Sequence, residues 1–100
     1  MTLHGIDIPE DRIADFCRRH DVVRLSLFGS ILRDDFGTKS DVDVLVEFAP
    51  GKGPGLFGFA GMQIELSQMF ARRVHLHTPP MLGPAFRDEV GRMARVQYAA

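Results

Sequence analysis

Two apolar, β-branched runs stand close together in the chain, Val22–Phe28 and Asp41–Phe48, with only residues 29–40 between them. Each alternates in the manner of a strand. Val23, Leu25 and Leu27 alternate with Arg24, Ser26 and Phe28. Val42, Val44, Val46 and Phe48 alternate with Asp41, Asp43, Leu45 and Glu47. The connecting residues are a Gly29-Ser30 break, one helical turn over Ile31 to about Asp35, and a loop from Phe36 to Ser40. That is too little chain for a full helical crossover between parallel strands, so the pair is predicted antiparallel. The end of the first strand then lies beside the start of the second. Gly29 and Ser30 meet Asp41 and Asp43 at one edge of a sheet.

The rest of the chain supplies helices to cover that sheet. A helix is predicted from about Pro9 to His20, with Pro9, Glu10 and Asp11 suited to its first turn. Ile13, Phe16 and Cys17 share its apolar face. Ala49–Gly55 reads as a surface loop. A longer helix follows over about Leu56 to Ala71, with Phe59, Met62, Leu66, Met69 and Phe70 as its core stripe. Arg73–Thr78 is a short third strand that Pro79-Pro80 ends. A last helix spans about Pro84 to Ala94, with Phe86, Val90 and Met93 on one face, and Val96–Tyr98 adds an edge strand. The fold class is therefore α/β (α+β): a small mixed sheet of three to four strands packed against helices.

The length of 100 residues corresponds to one domain, residues 1–100. The chain is 45% hydrophobic and 25% charged, as an ordinary globular protein is. It holds no apolar run of membrane-spanning length and no signal-peptide pattern at its start. Cys17 is its only cysteine. These features point to the cytoplasm and away from a membrane. The net charge is -1. A protein that grips a nucleic-acid backbone carries a basic excess, so no direct nucleic-acid binding is expected.

The chemistry lies in the convergence of the turn and the two carboxylates. Gly29 lets a phosphate approach the backbone, and Ser30 offers a hydroxyl and an N–H. Asp41 and Asp43 share a strand face with Cα atoms about 6–7 Å apart. Carboxylates so placed can hold one hard cation or a close pair, the arrangement that suits phosphoryl-type displacement. A Gly-Ser turn alone, or an Asp-x-Asp alone, is commonly structural. Their combination in this strand–turn–strand context is what carries the reading.

LSLFGSILRDDFGTKSDVDVLVEF resembles the GS-x10-DxD signature of the minimal nucleotidyltransferases, the small branch of the DNA polymerase beta superfamily. Ser40 precedes the acids as it commonly does there. RRVHLHTPPML is similar to the family's third strand, and FRDEVGRMARVQY to its closing helix. The resemblance implies a nucleoside triphosphate such as ATP as substrate, Mg2+ or Mn2+ as cofactor, and nucleotidyl transfer to an acceptor. It also implies a biological setting. Many such domains are antitoxins of HEPN-type ribonuclease toxins, and some transfer AMP to a tyrosine of the toxin. Arg33, one turn after Ser30, is either a phosphate contact of the family's kind or a solvated residue. Lys39, in the loop before the acids, is a surface lysine or a second phosphate contact.

The chain departs from the family at one position. The third strand usually carries a third carboxylate, and here His75 stands there. Glu47 is about 13 Å along its strand from Asp43 and is too far to replace it. Asp88 and Glu89, on the last helix, have no evident route to the site. His75 admits four roles: a general base, a metal ligand that tilts the site from Mg2+ toward softer ions, the mark of a site that binds without catalysis, or a structural imidazole. His77 shares its face. Three functions follow: AMP transfer to a toxin protein, neutralisation of that partner by binding alone, or transfer to a small molecule.

Overall fold

A computed structural model describes residues 2–100. The elements run β1 (Thr2–Leu3), β2 (Ile6–Asp7), α1 (Glu10–Arg19), β3 (Val22–Phe28), β4 (Val42–Phe48), α2 (Leu56–Phe70), β5 (Val74–His77), α3 (Pro84–Met93) and β6 (Arg95–Ala99). A 3-10 turn occupies Gly29–Leu32, and another Pro79–Met81. The main sheet has the order β5-β4-β3-β6. β3 is antiparallel to β4 and β6, whereas β4 and β5 are parallel because all of α2 lies between them. The sheet is mixed and four-stranded, as expected.

The two faces of the sheet differ. Val42, Val44 and Val46 on β4, Leu25 and Leu27 on β3, and Val74 and Leu76 on β5 point into the main core. There they meet Ile13, Phe16 and Cys17 of α1 and Met62, Leu66, Met69 and Phe70 of α2. Each of these side chains gains roughly 1.5–3 kcal/mol from full burial. Cys17 is part of this packing, and burial pushes its thiol up to about 12 against the opposing pull of Arg18. The other face carries Ser26, Phe28, Asp43, Leu45, His75 and His77. Only a small cluster covers it: Phe28, Leu45, Leu82 and Val90.

Alternation fails at the start of β3. The register with β4 shifts between Val22 and Arg24. The irregularity turns Val22 into the core and leaves Val23 on the surface at 36% exposure, the reverse of strict alternation from Val23. The hairpin β1-β2 is an element that periodicity does not announce. Its strands have two residues each, and its turn, His4-Gly5, takes φ 51° and 77°. Both signs match the twist of a tight hairpin. The His4 ring shares a 3.0 Å hydrogen bond with the Ile31 carbonyl and packs 5.0 Å from Phe36, so the hairpin braces the loop that follows Ser30.

The edges of the core are tied by polar groups. Arg19 of α1 pairs with Glu65 of α2, which also meets His20 at 3.1 Å. Arg19, with a smaller contribution from His20, holds the Glu65 carboxyl below its usual range. β5 is an edge strand, and α2 satisfies its outer N–H groups. Val74 donates to Ser67 Oγ at 3.0 Å and Leu76 to Gln63 Oε1 at 2.9 Å. That blocks further strand pairing on this side.

Candidate active site

The antiparallel register pairs Phe28 with Asp43, so the residue after Phe28 comes to the head of β4. Gly29 adopts φ +77°, and a Cβ there would run into the Asp43 carboxylate. Only glycine lets the backbone bend this way with the acid seated against it. Ser30 lies inside the 3-10 turn, which starts at Gly29 rather than at Ile31 and ends at Leu32 rather than about Asp35. Its Oγ donates to the Asp41 carbonyl at 3.4 Å. The turn is four residues long, too short for a helix N-terminus with an appreciable dipole. Gly29 and Ser30 both line the adjoining cavity.

The acids point where they do because their neighbours are buried. Val42 and Val44 are fully enclosed, which sends Asp41 and Asp43 to the opposite, half-open face. The parallel register sets Asp43 beside His75, with His77 two residues along. His75 Nε2 lies 2.8 Å from Asp41 Oδ2, and His77 Nε2 lies 3.3 Å from Asp43 Oδ1. Each carboxylate therefore has an imidazole partner. The His77 ring is in turn held edge-on by Phe28 at 5.1 Å. His75 stands beside Asp43 on the neighbouring strand, at the position where the resemblance expects a third acid.

A cavity of about 470 Å³ opens from this cluster, lined by Gly29, Ser30, Arg33, Asp43, Phe86 and Glu89 among others. Glu89 corrects the expectation that the last helix has no route to the site. α3 lies across the polar face of the sheet, anchored by Val90, and carries Glu89 to the same cavity as Asp43. Of the three residues on one face of this helix, Val90 is buried, whereas Phe86 and Met93 are 50% and 59% exposed and line the cavity. Arg33 lines the cavity and donates to Asp35 at 3.2 Å. Lys39 is exposed and does not line it.

Asp43, which lines the cavity, and Asp41, two residues before it on the same side, are hard oxygen donors of the kind that a divalent ion takes together with phosphate and water. Asp43, His75 and His77 also present one donor atom each within 4.8 Å of one another, a possible divalent site of mixed oxygen and nitrogen character.

One positioning residue escaped the sequence reading. Arg72 Nη2 donates to the carbonyls of Gly37 at 2.6 Å and Ser40 at 2.7 Å, and its guanidinium rides on the Phe36 ring at 4.8 Å. Ser40 adjoins Asp41, so Arg72 fixes the entry to the acidic pair. In sequence it is one of two adjacent arginines, with nothing to mark it. Arg72→Ala is expected to lower the melting temperature by a few degrees and nucleotidyl transfer about tenfold, since small misplacements of reacting groups are costly. Unchanged values for both would dismiss this role.

A glycine turn packed against paired strand carboxylates, beside a cavity, on one face of a mixed sheet defines a nucleotidyltransferase fold. The profile of the nucleotidyltransferase domain family matches residues 10–95, and the chain belongs to that family, in its minimal branch. A protein of Methanocaldococcus jannaschii described as a candidate protein adenylyltransferase is 32% identical over 79 residues, covering 79% of this chain and 83% of that one. A solved structure described as a candidate minimal nucleotidyltransferase has a TM-score of 0.71 at 32% identity, covering 85% of each chain. The fold also matches a chain of a toxin-antitoxin crystal structure with AMP-PNP, with a TM-score of 0.74 at 17% identity over 93% of this chain and 75% of that one. A chain of the MntA-HepT toxin-antitoxin structure gives 0.66 at 16% identity over 91% and 70%.

Proposed function

We propose that residues 1–100 act as one catalytic domain that transfers AMP from ATP to a hydroxyl of a partner protein, with a HEPN-type toxin as that partner. The observation that carries this reading is the seat of the Asp43 carboxylate against the Gly29 backbone, at a cavity that Ser30 and Arg33 also line. The similarity to a candidate protein adenylyltransferase and to toxin-antitoxin structures supports the acceptor and the partner. Among the described residues no helix is long and apolar enough to cross a membrane, in keeping with a cytoplasmic site of action.

In this reading the Gly29-Ser30 turn and Arg33 receive the triphosphate. Asp41 and Asp43 would hold Mg2+ or Mn2+, which supplies charge neutralisation for the attacking and leaving oxygens. The acceptor oxygen forms a bond to the α-phosphorus, the bond to the bridging oxygen breaks, and pyrophosphate leaves. His75, 2.8 Å from Asp41, takes the hydroxyl proton, a task that a carboxylate at the same position can also perform. Lys39 stays outside the cavity and acts as a long-range charge for the incoming nucleotide.

The test is transfer of labelled AMP to the toxin encoded beside this chain, with Mg2+ or Mn2+. Weak transfer with Mg2+ that improves with Mn2+ is expected, because an imidazole replaces a hard oxygen donor. His75→Asp restores that donor and should raise Mg2+-dependent transfer about tenfold, the equivalent of roughly 1.4 kcal/mol in the barrier. A fall in activity from a robust wild type would instead make His75 indispensable as an imidazole. The contacts of both carboxylates with histidines favour one second reading, neutralisation of the toxin by contact alone. It is supported if neither variant transfers AMP while both still silence the partner.

A further inference from the structure

We propose that Asp43, His75 and His77 form a binding site for a divalent transition ion of the Zn2+, Co2+ or Ni2+ class, filled in the absence of nucleotide. The parallel pairing of β4 and β5 creates the site by setting Asp43 beside His75, and the strand period brings His77 to the same face. Their donor atoms all fall within 4.8 Å. Zn2+ bonds of about 2.0–2.1 Å in a tetrahedron put two ligands roughly 3.3 Å apart. His77 Nε2 and Asp43 Oδ1 already stand 3.3 Å apart. A small rotation of His75 brings the third donor in.

The surroundings suit such a site. Phe28 packs edge-on against the His77 ring, and the Asp41 carboxylate lies 2.8 Å from His75 Nε2, a carboxylate–imidazole contact that can align the ring. His75 is exposed and Asp43 and His77 are half-buried, so an ion can enter and a fourth position stays open to water or phosphate. Two imidazole nitrogens and one carboxylate favour borderline ions over Mg2+, which prefers oxygen. Asp43 and His75 also belong to the proposed transfer site. A transition ion bound here therefore withdraws both from Mg2+-dependent transfer.

The inference rests on the side-chain cluster and not on AMP transfer, so the two can fail separately. Tag-free, metal-stripped protein is titrated with Co2+ without nucleotide, in a hundredfold excess of Mg2+ over protein. One equivalent should bind and give the intense visible bands of four- or five-coordinate Co2+. His77→Ala and the closer His77→Gln should weaken binding by more than about 100-fold, since even outer partners of a metal site are worth 10–100-fold. Their unchanged melting temperature without metal shows that folding is intact. Absence of the bands, displacement of Co2+ by Mg2+, or wild-type affinity in both His77 variants would overturn the site. Co2+ binding by a protein that transfers no AMP supports the site and removes the reading above. AMP transfer with no Co2+ binding does the reverse.

Discussion

Replacing both Asp41 and Asp43 with asparagine is expected to abolish nucleotidyl transfer, by roughly 10^3-fold or more, while the chain stays folded. The size follows from the several kcal/mol that a correctly held ion contributes at a reacting phosphate, each 1.36 kcal/mol being tenfold. The fold survives because neither acid anchors the core. Asp43 lies on the open face of β4 and Asp41 just ahead of it, and the residues of that strand that enter the main core are Val42, Val44 and Val46. Binding separates this from a general defect. ATP with Mg2+ is expected to bind the folded state and not the unfolded chain. At a hundredfold excess over Kd it adds about 2.7 kcal/mol and raises the melting temperature by about 10–20 °C for a domain of this size. The double variant should show almost none of that shift and an unchanged baseline. Equal shifts in both proteins would mean that the carboxylates do not hold the metal-nucleotide.

What could be read from the chain depended on how local the cause was. The antiparallel pair β3-β4 was legible because residues 29–40 are too few to cross over, and that alone brings Gly29 to Asp43. The helical stripes of α1 and α2 were legible because period and burial agree, as with Ile13, Phe16 and Cys17. The irregularity after Val22 was not, since it inserts one residue without a change in composition. The hairpin at Thr2–Leu3 and Ile6–Asp7 is too short to show a period. Glu89 was set aside because position along a helix does not tell where the helix docks. The docking is decided by Val90 and Leu82 meeting Phe28 and Leu45 on the polar face. For the same reason the shared face of Phe86, Val90 and Met93 did not tell that Val90 packs on the sheet while Phe86 and Met93 line a cavity. Arg72 acts through carbonyls, which carry no sequence signal at all.

Gly29→Ala should reproduce much of the Asp43 defect without touching a carboxylate. Two effects combine at this position, and they can be measured apart. The first is backbone conformation: Gly29 sits at φ +77°, and a side chain in the left-handed region costs about 1–2 kcal/mol. For a domain of this size that lowers the melting temperature by about 4–16 °C. The second is space. The new methyl group would occupy the place of the Asp43 carboxylate, which can escape by turning about its own side-chain bonds. The escape preserves the fold but moves the acid away from its 3.3 Å contact with His77. Transfer should therefore fall about 10^2-fold or more, since a misplacement of about 1 Å can cost that much. Gly51 provides the control. It has φ +74° with open space around it, so Gly51→Ala carries the conformational cost alone. It should lose a similar number of degrees and keep its transfer rate. If Gly29→Ala and Gly51→Ala were equally active, Gly29 would be needed only for the turn, and its contact with Asp43 would have no part in the chemistry.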